Sequence, residues 1–214
     1  MKKFKISQIQ FQAAETPSLN AKILKKYFYK TRDYNPDLIC TPECSNIITN
    51  DKKHLFKYST FEKNCPIINE SKKYAKLFNT NIHLGSLLLK IEGKNKLVNR
   101  SILIDKSGKI KTRYDKMNMF DVNIDKTETH RESDSFLRGK KIIMSNISNV
   151  KLGFSICYDL RFPVLYRQLA KKGSEIILIP SAFTVPTGKA HWQTLIRARA
   201  IENAVFVVAT NMCG

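Results

Sequence analysis

The sequence has no run of about 18 consecutive apolar residues, so no segment reads as a transmembrane helix. No signal peptide is visible either. The start, MKKFKISQIQF, carries lysines, but Lys5, Ser7, Gln8 and Gln10 break any apolar core a leader would need. The chain is expected to stay in the cytoplasm and to keep its thiols reduced. Its cysteines (40, 44, 65, 157 and 213) are odd in number and irregularly spaced, with no CxxC or Cys/His pattern for zinc. No zinc-finger, RNP-like or helix-turn-helix pattern is present, and there is one tryptophan. Repeats, low-complexity tracts and linkers are missing too. Acidic residues are scarce: 18 Asp and Glu against 37 Lys and Arg give a net charge of +19. The lysines are scattered through KILKKYFYK, DKKH, SKKYAK, GKNK, RGKK and AKKG, which favours a solvated basic surface over a specific nucleic-acid site.

What is present fits one domain over residues 1–214. At 214 residues with 43% hydrophobic content, the chain can bury a sizeable core. FKISQIQF alternates as a strand, and SLNAKILKKYFYKTR is amphipathic, with Ser18 as the expected helix cap and Leu19, Ile23 and Tyr27 on one face. DLICTPE reads as a short buried strand and IINESKKYAKLFNT as a second helix. NIHLGSLLLKI and LVNRSILID are strands joined by the turn EGKNK, and KSGK leads into IKTRYD. Residues 117 to 140 show little periodicity and read as a long loop, a length that in compact domains usually serves function or is disordered. KIIMSNI and KLGFSICY are strands, VLYRQLAKKG a helix, SEIILIPSAF a buried strand, KAHWQTLIRARAIEN a helix and AVFVVATN a last strand. The order predicts an α/β fold with strand–helix alternation at both ends and hairpins in the middle.

Three residues stand at comparable places. Glu43 ends DLICTPE, Lys116 follows IKTRYD, and Cys157 ends KLGFSICY. Residues beyond the carboxyl ends of strands gather at one rim in open α/β sheets. A thiol there, beside a helix start and a cation, is expected to favour thiolate. A carboxylate can take its proton, and an ammonium can stabilise an oxyanion formed at a carbonyl or nitrile carbon. Taken singly, each residue has a plainer reading: a solvated glutamate, a surface lysine, and a cysteine filling the core.

The local sequences add to this. TPEC, YDKMNMFDV, RESDSFLRG, GFSICYDLRFP and the stretch from PSAFTVPTGKAHW to NMCG together resemble the nitrilase superfamily of carbon-nitrogen hydrolases, in that family's order and over the whole chain. The nearest likeness is to its Nit branch of omega-amidases and deaminated glutathione amidases. The resemblance implies a four-layer αββα sandwich and a catalytic triad of Glu43, Lys116 and Cys157. Glu43 would act as base, Cys157 as nucleophile, and Lys116 with the Tyr158 backbone N–H as oxyanion donors. Glu132 matches a second active-site glutamate that orients Lys116. Arg161 stands where it would either bind a substrate carboxylate or brace the turn through an acidic neighbour. Phe183 and Thr184 would line the pocket or simply pack. His191 and Trp192 read as packing residues, and His54, His83 and His130 carry no metal-ligand spacing. No metal and no cofactor are expected.

Cys44, the sequence MNMF, His130 and Val164 depart from the family's usual residues, which leaves the pocket open to difference. The resemblance also implies about fifty to seventy further residues in strands and an extension beyond NMCG, by ordinary domain sizes, so a shortened chain is expected. The implied activity is hydrolysis of a small anionic primary amide by a homodimer. Three alternatives stand beside it: a nitrilase or N-carbamoyl hydrolase on the same triad, a shortened non-catalytic subunit, and a basic nucleic-acid binder.

Overall fold

In the computed structural model, which describes residues 3–123 and 129–213, two sheets pack face to face. The first holds β1 (Ile6–Gln8), β2 (Leu38–Cys40), β3 (Thr60–Phe61), β4 (Asn81–Lys90), β5 (Leu97–Ile104) and β6 (Ile110–Asp115). Its order is β1-β2-β4-β5-β6, with β3 beside β4. β7 (Asp121–Asn123) and β8 (Thr129–Arg131) pair with each other, and β9 (Phe136–Leu137) returns to β5. The second sheet runs β10 (Met144–Ile147), β11 (Val150–Phe154), β12 (Ile176–Leu178) and β13 (Phe206–Val208), parallel except for the β10–β11 hairpin. The helices are α1 (Pro17–Thr31), α2 (Lys52–Tyr58), α3 (Pro66–Leu77), α4 (Glu132–Ser135), α5 (Pro163–Lys171), the single turn α6 (Val185–Thr187) and α7 (Gln193–Asn203).

The period of two along each strand sorts the layers. In β4 and β5, Ile82, Leu84, Ile102 and Ile104 face outward onto Leu24 and Phe28 of α1 and Ile67, Ile68 and Ala75 of α3. Leu103, one residue out of phase, faces inward with Leu38, Cys40 and Tyr114 against Leu152, Phe154, Ile156 and Leu178 of the second sheet. That sheet's outer face, with Ile177 and Ile179, is covered by Leu165, Tyr166 and Leu169 of α5 and by Leu195 and Ile196 of α7. The result is the expected αββα order. Each fully buried Leu or Ile contributes about 1.5–3 kcal/mol, so a change such as Leu103→Ala in the layer between the sheets removes about 2–5 kcal/mol.

Several local expectations are corrected. Thr16, not Ser18, is the N-cap of α1, because Pro17 takes the first helical position, where its missing N–H costs nothing. The long loop expected over 117 to 140 contains β7, β8, α4 and β9; its residues 124–128 lie outside the described residues. The strand expected to reach Cys157 ends at Phe154. α2 was not foreseen; Asp51 caps it, accepting the N–H groups of Lys53 and His54 at 2.8 and 3.2 Å. Among the described residues no helix is long and apolar enough to cross a membrane.

Candidate active site

Glu43 is placed by a turn that β2 makes against an irregularity in β4. The β4–β5 register shifts between Leu84 and Leu87, which frees the backbone of Gly85 and Ser86 to meet the turn. Cys44 N–H donates to Ser86 Oγ at 3.0 Å, Ser45 N–H to the Ser86 carbonyl at 2.9 Å, and Ser86 N–H to the Pro42 carbonyl at 3.2 Å. Gly85 is required here: a Cβ would lie 2.0 Å from the Thr41 carbonyl oxygen. Cys44 takes a left-handed φ of 54°, a conformation that costs a non-glycine residue about 1–3 kcal/mol and holds only where the surroundings fix it. The turn therefore buries a carboxylate, and Glu43 is 3% exposed.

Lys116 continues β6 by one residue. Its N–H donates to the Asn99 carbonyl at 2.9 Å, and its own carbonyl accepts Gly139 N–H at 2.8 Å. The residue is 2% exposed, and its side chain ends between two carboxylates: Nζ lies 3.1 Å from Glu43 Oε1 and 3.0 and 2.9 Å from the two oxygens of Glu132. Glu132 is in turn fixed by Phe120 N–H at 2.7 Å. Asn99 Nδ2 donates to Glu43 Oε1 at 2.9 Å and to Glu132 Oε1 at 3.3 Å, bridging both acids.

Cys157 sits three residues past the end of β11, at the start of a 3₁₀ turn over Cys157–Arg161. Its N–H donates to the Pro180 carbonyl at 2.8 Å, and its φ is 46°. This second left-handed non-glycine turns the thiol toward the cavity. The next N–H, of Tyr158, meets no protein acceptor among the described residues, as the first N–H groups of a helical turn do not. The loop after β12 reaches across to the first sheet: Ala182 N–H donates to Glu43 Oε2 at 2.9 Å. Glu43 thus lies where the sheets join.

The electrostatics overturn one expectation. Burial, reinforced by the Glu43 charge, pushes the Cys157 thiol well above its ordinary value, and Lys116 only partly opposes this. The resting sulfur is a thiol facing a carboxylate, not a thiolate. For Lys116, burial disfavours the charge, but the carboxylates of Glu132 and Glu43 outweigh it and hold the ammonium well above the lysine range. A buried ion with two carboxylates is arranged as buried charges must be, paired and hydrogen-bonded.

Glu43, Lys116, Cys157 and Glu132 line one cavity of about 350 Å³, together with Tyr158, Arg161, Phe183 and Thr184. All eight sequence-predicted residues are therefore brought together. Ile47, Leu55, Leu88 and Phe136 give the cavity an apolar wall, and Cys44 opens into it as well. Arg161 has no acidic partner among the described ion pairs. Its guanidinium lies over the rings of Tyr158 and Phe183 at 5.8 and 6.0 Å and meets His191 Nδ1 at 3.1 Å. Trp192 packs on Phe183, with ring centroids 4.9 Å apart. Three supports were missed from sequence: Asn99, the Ala182 N–H, and Arg199, whose guanidinium donates to the Leu160 carbonyl at 3.0 and 2.8 Å and anchors the 3₁₀ turn. A polar residue at a buried register of an apolar strand was the available signal for Asn99. Among the described residues no group of three or more His, Cys, Asp or Glu side chains is placed to hold a metal ion.

With this geometry fixed, comparison with known proteins is informative. Residues 5–214 match the family model described as carbon-nitrogen hydrolase. A deaminated glutathione amidase of Yersinia enterocolitica is 37% identical over 179 residues, 83% of this chain. The chain spans only 62% of that relative's length. A deaminated glutathione amidase of Dictyostelium discoideum is 36% identical over 91% of this chain and 69% of the relative. Among solved structures, the NitFhit protein of Caenorhabditis elegans superposes with a TM-score of 0.91 at 30% identity, covering 99% of this chain and 52% of the other. Nit3 of Saccharomyces cerevisiae, described as a member of the nitrilase superfamily, gives 0.83 at 26% identity, over 98% of this chain and 76% of its own.

Proposed function

Because this chain belongs to the carbon-nitrogen hydrolase family, we propose that it hydrolyses a small primary amide to a carboxylate and ammonia through a cysteine thioester. The observation that carries the reading is Lys116 Nζ, 3.1 Å from Glu43 and 2.9 Å from Glu132, in the cavity that Cys157 lines. Cys157 transfers its proton to Glu43 as its sulfur bonds to the amide carbon. The developing oxyanion lies between Lys116 and the Tyr158 N–H, donors fixed before the reaction begins. When the C–N bond breaks, the Glu43 proton leaves with the nitrogen as ammonia, and a thioester remains. Glu43 then takes a proton from water, hydroxide adds to the thioester, and collapse of that second oxyanion breaks the C–S bond; the Glu43 proton passes to sulfur, and the carboxylic acid released gives up its proton to solvent as carboxylate.

The cavity also bears on the substrate. Arg161, Arg131 and Lys52 line it, while both of its glutamates are already paired with Lys116. An amide carrying a carboxylate at its far end fits this distribution, as in the omega-amide of a 2-oxo dicarboxylic acid or deaminated glutathione. The apolar wall takes the intervening chain.

The test is ammonia release from a 2-oxo acid omega-amide and from deaminated glutathione. Wild type is expected to release ammonia. Cys157→Ser is expected to melt as wild type does and to release none, since an alcohol beside a single carboxylate is a far weaker nucleophile. Full turnover in Cys157→Ser, or a folded wild type inert on both amides, would sink the reading.

A further inference from the structure

The buried carboxylate of Asp159 has no place in the reaction steps above, yet it occupies a singular position. It is fully buried, 0% exposed, and both oxygens are filled. Oδ2 accepts Tyr114 O–H at 2.6 Å and Ile156 N–H at 2.9 Å. Oδ1 accepts Asn118 N–H at 2.9 Å and Asn118 Nδ2 at 2.8 Å. Tyr114 and Asn118 stand two residues before and two after Lys116, while Ile156 and Asp159 bracket Cys157. One carboxylate therefore joins the segment that carries the ammonium to the turn that carries the thiol.

We propose that Asp159 is a positioning residue that fixes the Cys157 sulfur relative to Lys116 Nζ and so sets the rate of the amide-cleaving step; this rests on the amidase reading above. The physical reason is the backbone. Cys157 has a φ of 46°, and such strain of about 1–3 kcal/mol persists only where neighbouring bonds over-determine it. Pro180 holds the Cys157 N–H from the side of the second sheet. Asp159 supplies a further constraint, accepting the Ile156 N–H one residue before Cys157 and tying it to both flanks of Lys116. Four donors demand four acceptor sites, which an ionised carboxylate provides. An amide in its place has one oxygen and an NH₂ that faces donors, so one pair of bonds is lost.

None of Tyr114, Asn118, Ile156 and Asp159 lines the cavity, so the clamp acts through the backbone that sets nucleophile against oxyanion donor rather than by touching substrate. A misplacement of about 1 Å at that point costs roughly 100-fold in rate.

The experiment compares wild type with Asp159→Asn and Tyr114→Phe, measuring kcat and KM per titrated thiol, melting temperature, and the rate of Cys157 alkylation by iodoacetamide. Asp159→Asn is expected to lose about 100-fold in kcat with KM within about twofold of wild type. Tyr114→Phe, which removes one bond and keeps the ring, should show the same kcat-only pattern at about tenfold, and decides the matter if Asp159→Asn does not fold. Alkylation reads the thiol's surroundings without turnover and should shift at least about threefold in the variants. A kcat per titrated thiol within about threefold of wild type in the folded variants, or a rise in KM matching the fall in kcat, overturns the inference. If wild type hydrolyses no amide, the amidase reading fails on its own. Alkylation then decides alone: a shift in the variants sustains the positioning role, and an unchanged rate overturns it.

Discussion

Replacing Lys116 by Met keeps most of the side chain's apolar stem and removes its charge together with its hydrogen-bond donors, which makes it a sharp test of the buried cluster. The lysine side chain is 3% exposed, and those of its partners Glu43 and Glu132 are 4% and 13% exposed, so solvent screening offers little relief. Glu43 keeps Asn99 and the Ala182 N–H, and Glu132 keeps the Phe120 N–H, but two carboxylates then face each other with no cation between them. Breaking a buried pair by removing one partner costs about 3–5 kcal/mol. For a chain of this length, at about 2–4 °C per kcal/mol, Tm at pH 7 should fall by roughly 10 °C. Turnover should drop by at least about 100-fold, because an oxyanion donor is gone. Thermal melts at pH 7, with ammonia release, measure both. A Tm within about 2 °C of wild type at pH 7, equivalent to no more than about 1 kcal/mol, would refute the reasoning. Adding Glu43→Gln and Glu132→Gln should restore most of the stability and none of the activity, since a whole buried network can be neutralised cheaply where one member cannot be removed.

Alkylation of Cys157 by iodoacetamide should be slow at pH 7 and climb about tenfold per pH unit through pH 9, because burial and Glu43 hold the thiol well above its ordinary value and only thiolate reacts. A rate that levels off below about pH 8 would mean that Lys116 wins and the thiol rests ionised. Gly85→Ala should destabilise the chain by about 1–3 kcal/mol and lower kcat together with stability, since the added Cβ would lie 2.0 Å from the Thr41 carbonyl oxygen and 2.6 Å from that of Pro42 and displace Glu43. Wild-type melting and turnover in that variant would show that the β4 irregularity does not position the acid.

The strands and helices that carry the core were legible because their periodicity is long enough to read. β4, β5, α1, α3 and α5 each match a run with a clear period and a turn or proline at its edge. The pieces that escaped are short. β3, β7, β8 and β9 have two or three residues each, too few for alternation to register, and they exist because neighbouring chain segments supply partners. The site divides in a similar way. Glu43, Lys116 and Cys157 stand at strand ends that the pattern marks, and local motifs rather than spacing single them out. Asn99, Asp159 and Arg199 were not legible as site residues, because a polar side chain in sequence reads as solvated until the fold buries it. The thiolate expectation failed for a related reason. It counted a nearby cation and a helical start, but not the burial and the second charge that outweigh them.

That last failure bears on how the proposed reaction is driven. At rest Lys116, Glu43, Glu132 and Cys157 together comprise one ammonium, two carboxylates and a neutral thiol, a net charge of −1 for these four groups. When the sulfur attacks, its proton passes to Glu43 and the negative charge appears on the tetrahedral oxygen. The net charge is unchanged, and one unit of it has moved from Glu43 to the oxyanion. Lys116 already touches Glu43 Oε1 at 3.1 Å and is pinned from the other side by Glu132 at 2.9 Å. It can therefore serve the charge at both ends of the transfer without itself moving. At positions this buried, moving an ion or importing one would carry a desolvation cost of several kcal/mol, whereas a fixed cation between donor and acceptor avoids that reorganisation. A resting thiolate would compete for the same ammonium and weaken this arrangement. On this reasoning the raised thiol pKa belongs to the mechanism: the negative charge waits on Glu43 until a carbonyl carbon is present to receive the sulfur.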